Sequence, residues 1–357
     1  MAASPLQVMI ALGGLGVSSA LGGAAAELAE VPGASASSLT DPIERAGKAQ
    51  HWAWWSGDRW DAVLPTSSGW RLYTDLTGDM TQGAVVDNRQ AARVDTLWHD
   101  GSVWVLRGHA STPQITRYDL NGSYAAAGAV TNVTISALAA DDGDLSPVVL
   151  YRTPNGALWA AVNNGSNVVV ARSVNSGQSW TSASVLSVSA TGTVMLTHSG
   201  DTLVLISMQN DSGGRAVRTI DQGAGSISSG NWASESLPAL PAGIGSDDHG
   251  MAATVDGHIY VASKTDGSVD SSTPLLYLLH RDPSGVWSQR TLVDGPDGVI
   301  GSRATRPHLL ATPSAVTVAY GQIGGRRDAH LLELPRETLG EPDRDRLMAV
   351  GNFSDGV

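Results

Sequence analysis

From about residue 50 onward the chain consists of short runs of alternating apolar and polar residues, separated by pairs of Gly, Asn, Asp and Ser. A period of two lines one face of a strand with apolar side chains, and Asp-Gly or Asn-Gly between two such runs marks a tight hairpin. The run Thr96-Leu-Trp-His-Asp-Gly-Ser-Val-Trp-Val105 therefore predicts two strands joined at Asp100-Gly101. The same unit recurs at Val149–Trp159, Met195–Leu205 and Ala253–Val261, with turn glycines Gly156, Gly200 and Gly257, and more loosely at Leu309–Tyr320.

A second unit is a Gly followed within three residues by an aromatic and then a polar-alternating strand. It occurs at Gly69-Trp70, Gly122–Tyr124, Gly177–Trp180, Gly230–Trp232 and Gly285–Trp287, with the aromatics 52 to 56 residues apart. Two interleaved lattices of one period imply about four strands per repeat, and consecutive four-stranded antiparallel sheets are the blades of a β-propeller. The expected fold class is thus all-β. Five repeats run from Arg93 to Glu333, and the segment from His51 to Asp75 supplies further strands that either form a sixth blade or complete the last one. Six blades is the preferred count and five the alternative. The expected divisions are an apolar Gly/Ala/Ser-rich arm and linker over 1–45, a propeller over 46–335 and a charged C-terminal tail over 336–357.

The arm carries no charged side chain from Met1 to Ala26, and its apolar stretch Leu6–Val17 suits three roles: a docking or oligomerisation arm, a secretory signal, or a membrane span. A signal wants Lys or Arg before the apolar stretch, yet the first basic residue is Arg45. A span wants roughly 20 predominantly apolar residues, and here Gly13, Gly14, Gly16, Gly22 and Gly23 dilute them. Small residues at such spacings let helices approach closely, so assembly into a homo-oligomer through 1–45 is the preferred reading over a membrane anchor.

Composition narrows the chemistry. With 22 Lys+Arg against 34 Asp+Glu and a net charge of −12, no basic footprint exists for nucleic acid. The absence of cysteine removes disulfides, zinc-thiolate sites and thiol nucleophiles. The nine histidines show no pair at metal-ligand spacing. Asp141, Asp142 and Asp144 form an acidic turn whose oxygens would suit Ca2+, against the plainer reading of a solvated turn. No other cofactor is expected.

The segment Ser173-Val-Asn-Ser-Gly-Gln-Ser-Trp180 resembles the Asp-box, or BNR repeat, of sialidase-like β-propellers. Ser173, Gly177 and Trp180 match the motif, while Asn175 stands where Asp is usual and Ser179 where Thr is usual. Asp282–Trp287 is a more degraded copy. The resemblance implies a structural turn between the third and fourth strands of a blade. It also implies an enzyme reading, in which three arginines hold a carboxylate and a Tyr nucleophile is paired with Glu. Arg303, Arg306, Tyr320 and Asp248 are the candidate catalytic residues, and Arg107, Arg303, Arg306 and Tyr320 the candidate ligand-binding residues. Between Arg93 and Leu332 the sole glutamate is Glu235, so the Tyr/Glu pair lacks its second member.

Trp52, Trp54, Trp55 and Trp60 form the densest aromatic cluster. Alternation assigns Trp52 and Trp54 to one strand face and Trp55 to the other. Cover by a neighbouring subunit or a ring-closing contact is preferred for these interface residues over stacking on a sugar ring. The favoured function is a non-enzymatic binding or structural propeller. It is expected on a virion, as a tail or head fibre, or on a cell surface, and expected to recognise a surface glycan or a protein. The alternative is a secreted bacterial sialidase-like glycoside hydrolase or lectin.

Overall fold

The computed structural model describes residues 53–351, apart from 58, 67, 77–79, 89–92, 109–112, 121–123, 127–132, 135–147, 164–166, 188–191, 210–213, 241–245, 266–274, 294–302, 324–326 and 337–343; at some strand ends only the backbone is described. Six antiparallel sheets follow one another along the chain, each built from consecutive strands in sequence order. The first comprises Ala53–Trp55, Trp60–Thr66, Gly69–Thr74 and Thr81–Asp87. In the second, Arg93–His99, Ser102–Gly108 and Gln114–Asp119 are followed by an outer edge split into Ala125–Ala126 and Val133–Thr134, which pair with opposite ends of the third strand. The third runs Val148–Arg152, Leu158–Asn163, Asn167–Ser173 and Thr181–Ser187, and the fourth Gly192–Ser199, Thr202–Gln209, Arg215–Asp221 and Ala233–Glu235. The fifth runs Ser246–Val255, His258–Thr265, Leu276–Arg281 and Trp287–Val293, and the sixth Arg303–Ala311, Ala315–Ile323, Arg327–Pro335 and Arg344–Gly351. The first strand of each sheet packs beside the first strand of the next, from the first sheet through to the sixth. This is the arrangement of propeller blades.

The predicted hairpins join first to second strands. Asp100 and Gly101 take φ of 49° and 72°, and His99 pairs with Ser102 across them; Asp256 and Gly257 repeat this at 49° and 78°. Positive φ at both central positions gives the turn whose twist matches that of its strands, and Asp and Gly tolerate it. The aromatic lattice marks third-to-fourth turns: Tyr124, Trp180, Trp232 and Trp287 each sit at or just before an outer strand. Trp70 breaks the lattice, because it lies on the third strand of its sheet, so its spacing from Tyr124 is coincidental.

The strands from Ala53 to Thr74 form their own sheet with Thr81–Asp87, which is the preferred of the two readings, and the alternative in which they complete the last blade does not hold. One further expectation changes. The boundary placed at 335 falls inside the sixth sheet, whose outer strand Arg344–Gly351 pairs with Arg327–Pro335.

The second strand of each sheet explains how the blades hold together. Every residue of Ser102–Gly108 and of Leu158–Asn163 is buried, which only a strand covered on both faces achieves. In the fourth sheet Leu203 and Leu205 pack on Trp159, Val168 and Val170 of the third. Their neighbours Val204, Ile206 and Met208 pack on Ile259, Val261 and Leu279 of the fifth. Alternation thus sends successive side chains to successive layers. Leu205 is fully buried, so Leu205→Ala is expected to cost about 2–5 kcal/mol in urea denaturation. Val174, 77 % exposed in a turn, is expected to change stability by less than about 0.5 kcal/mol on Val174→Ala.

Candidate functional site

Because every sheet runs first to fourth strand as a meander, the first-to-second and third-to-fourth hairpins emerge at one end. The second-to-third loops and the sheet-to-sheet connections emerge at the other. At that second end a groove of about 430 Å³ opens between the first and second sheets, lined by Val85, Val86, Asp87 and Asn88 from one side and by Arg107 and Gln114 from the other. The outer strand of the first sheet ends at Asp87, while Arg107 closes the second strand and Gln114 opens the third strand of the second sheet.

Arg107 is buried and fixed in orientation: Nη1 donates to the Val86 carbonyl at 2.7 Å and Nη2 to Thr116 Oγ1 at 2.7 Å. Burial pushes the nearby Tyr118 phenol up, with the Arg107 charge opposing and the Asp87 charge reinforcing that shift. A guanidinium and a carboxylate thus act on the same buried surroundings at the groove's base. Asn88 and Gln114 add two carboxamides, and Val85, 46 % exposed, adds an apolar wall. The groove's shape depends on a glycine. Gly69 has φ +116°, and a Cβ there would lie 2.1 Å from the Asp87 carbonyl oxygen and 2.7 Å from Asn88 Cα.

Of the other site residues expected from the sequence, Tyr320 packs with Tyr260, Leu309, Val316 and Val318 between the fifth and sixth sheets, in a different layer from Arg107. Arg303 and Arg306 lie on the first strand of the sixth sheet and Asp248 on the first strand of the fifth, with side chains outside the described residues. Asp141, Asp142 and Asp144 lie outside the described residues, as does Trp52. No group of three His, Cys, Asp or Glu side chains able to hold a metal occurs among the described residues.

Trp54 is covered within the chain rather than by another subunit. It is 4 % exposed, its ring lies 6.3 Å from Trp98 of the second sheet, and its Nε1 donates to the Tyr124 hydroxyl at 3.0 Å. Trp55 points the other way, 45 % exposed, with its ring edge-on to Trp60 at 5.5 Å. Sequence reasoning missed what lies behind Trp54, where the Tyr124 hydroxyl donates to Asp61 Oδ2 while Asp61 Oδ1 accepts from Arg59 Nε and the Asp75 amide. This is a Tyr–carboxylate pair, but burial and Asp61 push the phenol far up, the opposite of an activated nucleophile.

Glu235 is consumed by structure too. Arg281 grips it with two bonds of 2.8 and 2.7 Å, and Trp287 Nε1 donates to it at 2.7 Å, joining the fourth sheet to the fifth. The Ser173–Trp180 segment forms a turn between the third and fourth strands of the third sheet. Ser173 Oγ accepts from the Gly177 amide at 2.9 Å, Asn175 Oδ1 from the Ser179 amide at 3.0 Å, and Trp180 Nε1 donates to the Gly177 carbonyl at 3.1 Å. Asn175 therefore supplies a side-chain acceptor that closes the turn.

The hairpin end carries a histidine pair. His258 Nδ1 and His280 Nε2 are 2.9 Å apart, with ring centroids 5.1 Å apart and planes within 11°. The centroid separation is close to the N···N distance plus the two ring radii, so the rings meet edge to edge around one shared proton. One of the two nitrogens donates and the other accepts, so the pair does not present two lone pairs to a metal. Burial, His258 and Arg336 hold His280 below the ordinary imidazole range against the pull of Asp282; burial alone lowers His198.

No protein-family model and no curated protein sequence matches the chain. Among solved structures, a puromycin hydrolase mutant complexed with PGG is similar at 15 % identity and a TM-score of 0.52, covering 88 % of this chain and 47 % of that one. A mutant of the Aleuria aurantia lectin in complex with α-methyl-L-fucoside follows at 10 % identity and TM-score 0.49, covering 86 % and 95 %. Penicillium chrysogenum α-L-arabinanase complexed with arabinobiose follows at 15 % and 0.48, covering 70 % and 79 %. Likeness at these identities concerns the fold alone.

Two outcomes are expected. Gly69→Ala should displace the Asp87–Asn88 segment and cost about 1–3 kcal/mol from the forced φ alone, read by chemical denaturation. For pH, the folded His280 and His198 titrate below the unfolded value near 6.5, so the unfolded chain takes up protons first as pH falls. Their stabilisation is complete above about pH 6.5 and is lost on acidification. The melting temperature should therefore drop from pH 7.5 to 5.0, and less steeply in His280→Gln; equal slopes would remove His280 from this account.

Proposed function

We propose that this chain is a non-catalytic β-propeller that binds a saccharide in the groove between its first and second sheets. The observation that carries the reading is Arg107, locked by two hydrogen bonds at the base of a groove of about 430 Å³ beside Asp87, Asn88 and Gln114. Planar groups with paired donors or acceptors suit vicinal hydroxyls, and a small exposed aliphatic wall suits the C–H face of a sugar. A charged group that is already oriented loses little entropy on binding.

Catalysis is disfavoured on chemical grounds. A glycosidase of the usual kind needs two carboxylates across the scissile bond, and the groove's lining offers one, Asp87. Glu235 and Asp61 are held in structural pairs elsewhere. The virion setting expected from the sequence receives no support from the comparisons. The apolar segment over 1–45 supports assembly into an oligomer, which would present several grooves at once and raise avidity.

The test is a glycan array followed by calorimetry on the best hit, with the full chain and with Gln114→Ala and Asn88→Ala. Each lost hydrogen bond should weaken binding roughly 3- to 10-fold without lowering the melting temperature. If no glycan binds, or if both variants bind as tightly as the unaltered chain, the groove is not a saccharide site. Light scattering on the full chain and on a chain beginning at Ala46 tests assembly; equal monomeric masses would refute it.

A further inference from the structure

Three rings of the fifth sheet share its face toward the sixth at the hairpin end. Tyr260 is buried in the layer, and the His280 and His258 rings stack on it with centroids 4.9 and 6.4 Å away and planes within 14° and 18° of its own. His258 Nδ1 and His280 Nε2 meet there at 2.9 Å. His258 follows directly on the Asp256-Gly257 turn. Asp256 carries the ion pair with Arg336, just past the third strand of the sixth sheet, whose Nη1 also reaches the Pro313 carbonyl at 3.1 Å. The histidine pair thus stands beside the polar clamp that joins the two sheets.

We propose that the His258–His280 pair is an acid-operated latch on the joint between the fifth and sixth sheets, shut while it carries at most one added proton and forced open by the second. Each neutral imidazole has one N–H and one bare nitrogen, so one of the facing nitrogens donates to the other. The first added proton goes to the bare outer nitrogen of the donor ring and leaves that bond in place. The second puts a hydrogen on both facing nitrogens, and two N–H groups 2.9 Å apart repel each other whatever else surrounds them. Two imidazolium charges with ring centroids 5.1 Å apart add to the repulsion. Groups that interact in this way titrate as a pair, in two separated steps. Burial and His258 hold His280 below the ordinary imidazole range, Asp282 opposes them and Arg336 reinforces them. Across the outer strand Ser288 lies opposite His280, with Arg290 two positions further on. Arg281 turns to the other face, to Glu235. The sixth sheet meets this layer with Leu309, Val316, Leu332 and Leu334, and on the fourth-sheet side His198 bonds to Tyr151. When the latch opens, His258 moves off the third strand, and the adjoining turn carries Asp256 away from Arg336. The latch lies at the opposite end of the sheets from the groove, and nothing in it depends on saccharide binding.

Two measurements on the full chain decide it. Hydrogen exchange, corrected for the intrinsic pH dependence of amide exchange, is followed at pH 7.5 and 5.0. With an ordinary imidazole value near 6.5, the second proton favours the open pair by about 30-fold at pH 5.0 and hardly at all at pH 7.5. Peptides spanning 253–263 and 276–287 should therefore lose protection by about 10- to 30-fold, while those spanning 60–74 of the first sheet keep theirs. In His258→Asn the carboxamide still bonds His280 and accepts from it once it is protonated, so the local loss should disappear. Because that variant could be destabilised throughout, the histidine ring protons of the unaltered chain are also titrated by NMR, where His258 and His280 should show two shared steps. Equal loss of protection in the first and fifth sheets, a local loss undiminished in His258→Asn, or independent single-step titration of the two rings would each overturn the proposal.

Discussion

Everything in this molecule depends on strands that are buried on both faces. A sheet with water on one side can alternate apolar and polar residues, but the second strand of each middle blade has a neighbouring sheet on either side and is apolar over most of its length. Leu158–Asn163 shows the consequence. Leu158, Ala160 and Val162 pack against Trp104, Leu106 and Ile115 of the second sheet, and Trp159 and Ala161 against the fourth. No such sheet is complete alone, so the unit of stability is the pair of sheets and the layer between them.

Polar residues act at the margins of those layers. Arg107 reaches from the second sheet to a carbonyl of the first, and Arg172 from the third to the Ala224 carbonyl of the fourth at 2.6 Å. Glu235 joins the fourth sheet to the fifth, Ser199 of the fourth sheet donates to the Gly257 carbonyl of the fifth, and Arg336, just past the third strand of the sixth sheet, reaches back to Asp256. Such contacts set how adjacent sheets are aligned more than how strongly they adhere, since the apolar layers supply most of the adhesion. The same clamp that aligns the first two sheets also orients the guanidinium at the base of the groove.

Function and scaffold therefore share residues. Arg107 is at once a clamp between two sheets and part of the groove's lining. The carboxylates of Asp61 and Glu235 are likewise bonded into the joints between sheets. A carboxylate gripped by arginine or tied to a phenol is held in place as a strut, with little freedom to shuttle a proton.

What the sequence determined by itself was local. Asp100-Gly101 and Asp256-Gly257 specify hairpins because positive φ at adjacent positions is a property of those residues and their immediate chain. Strand alternation and the interleaved repeats likewise announced consecutive four-stranded sheets, and the turn at Ser173–Trp180 was legible from its own side chains. The tertiary structure alone decided which residues meet across a layer. Tyr124 and Asp61 are 63 residues apart, and nothing in either neighbourhood foretells their bond. Trp70 matched the aromatic period yet lies on a different strand, because spacing along a chain does not encode which strand a residue occupies. Asp87, Asn88 and Gln114 carried no motif, and they form a groove with Arg107 only because packing brings the end of one sheet against the start of the next. Hairpins depend on dihedral preferences of two residues, whereas a site between sheets depends on how whole layers align, and that alignment is written in no single segment.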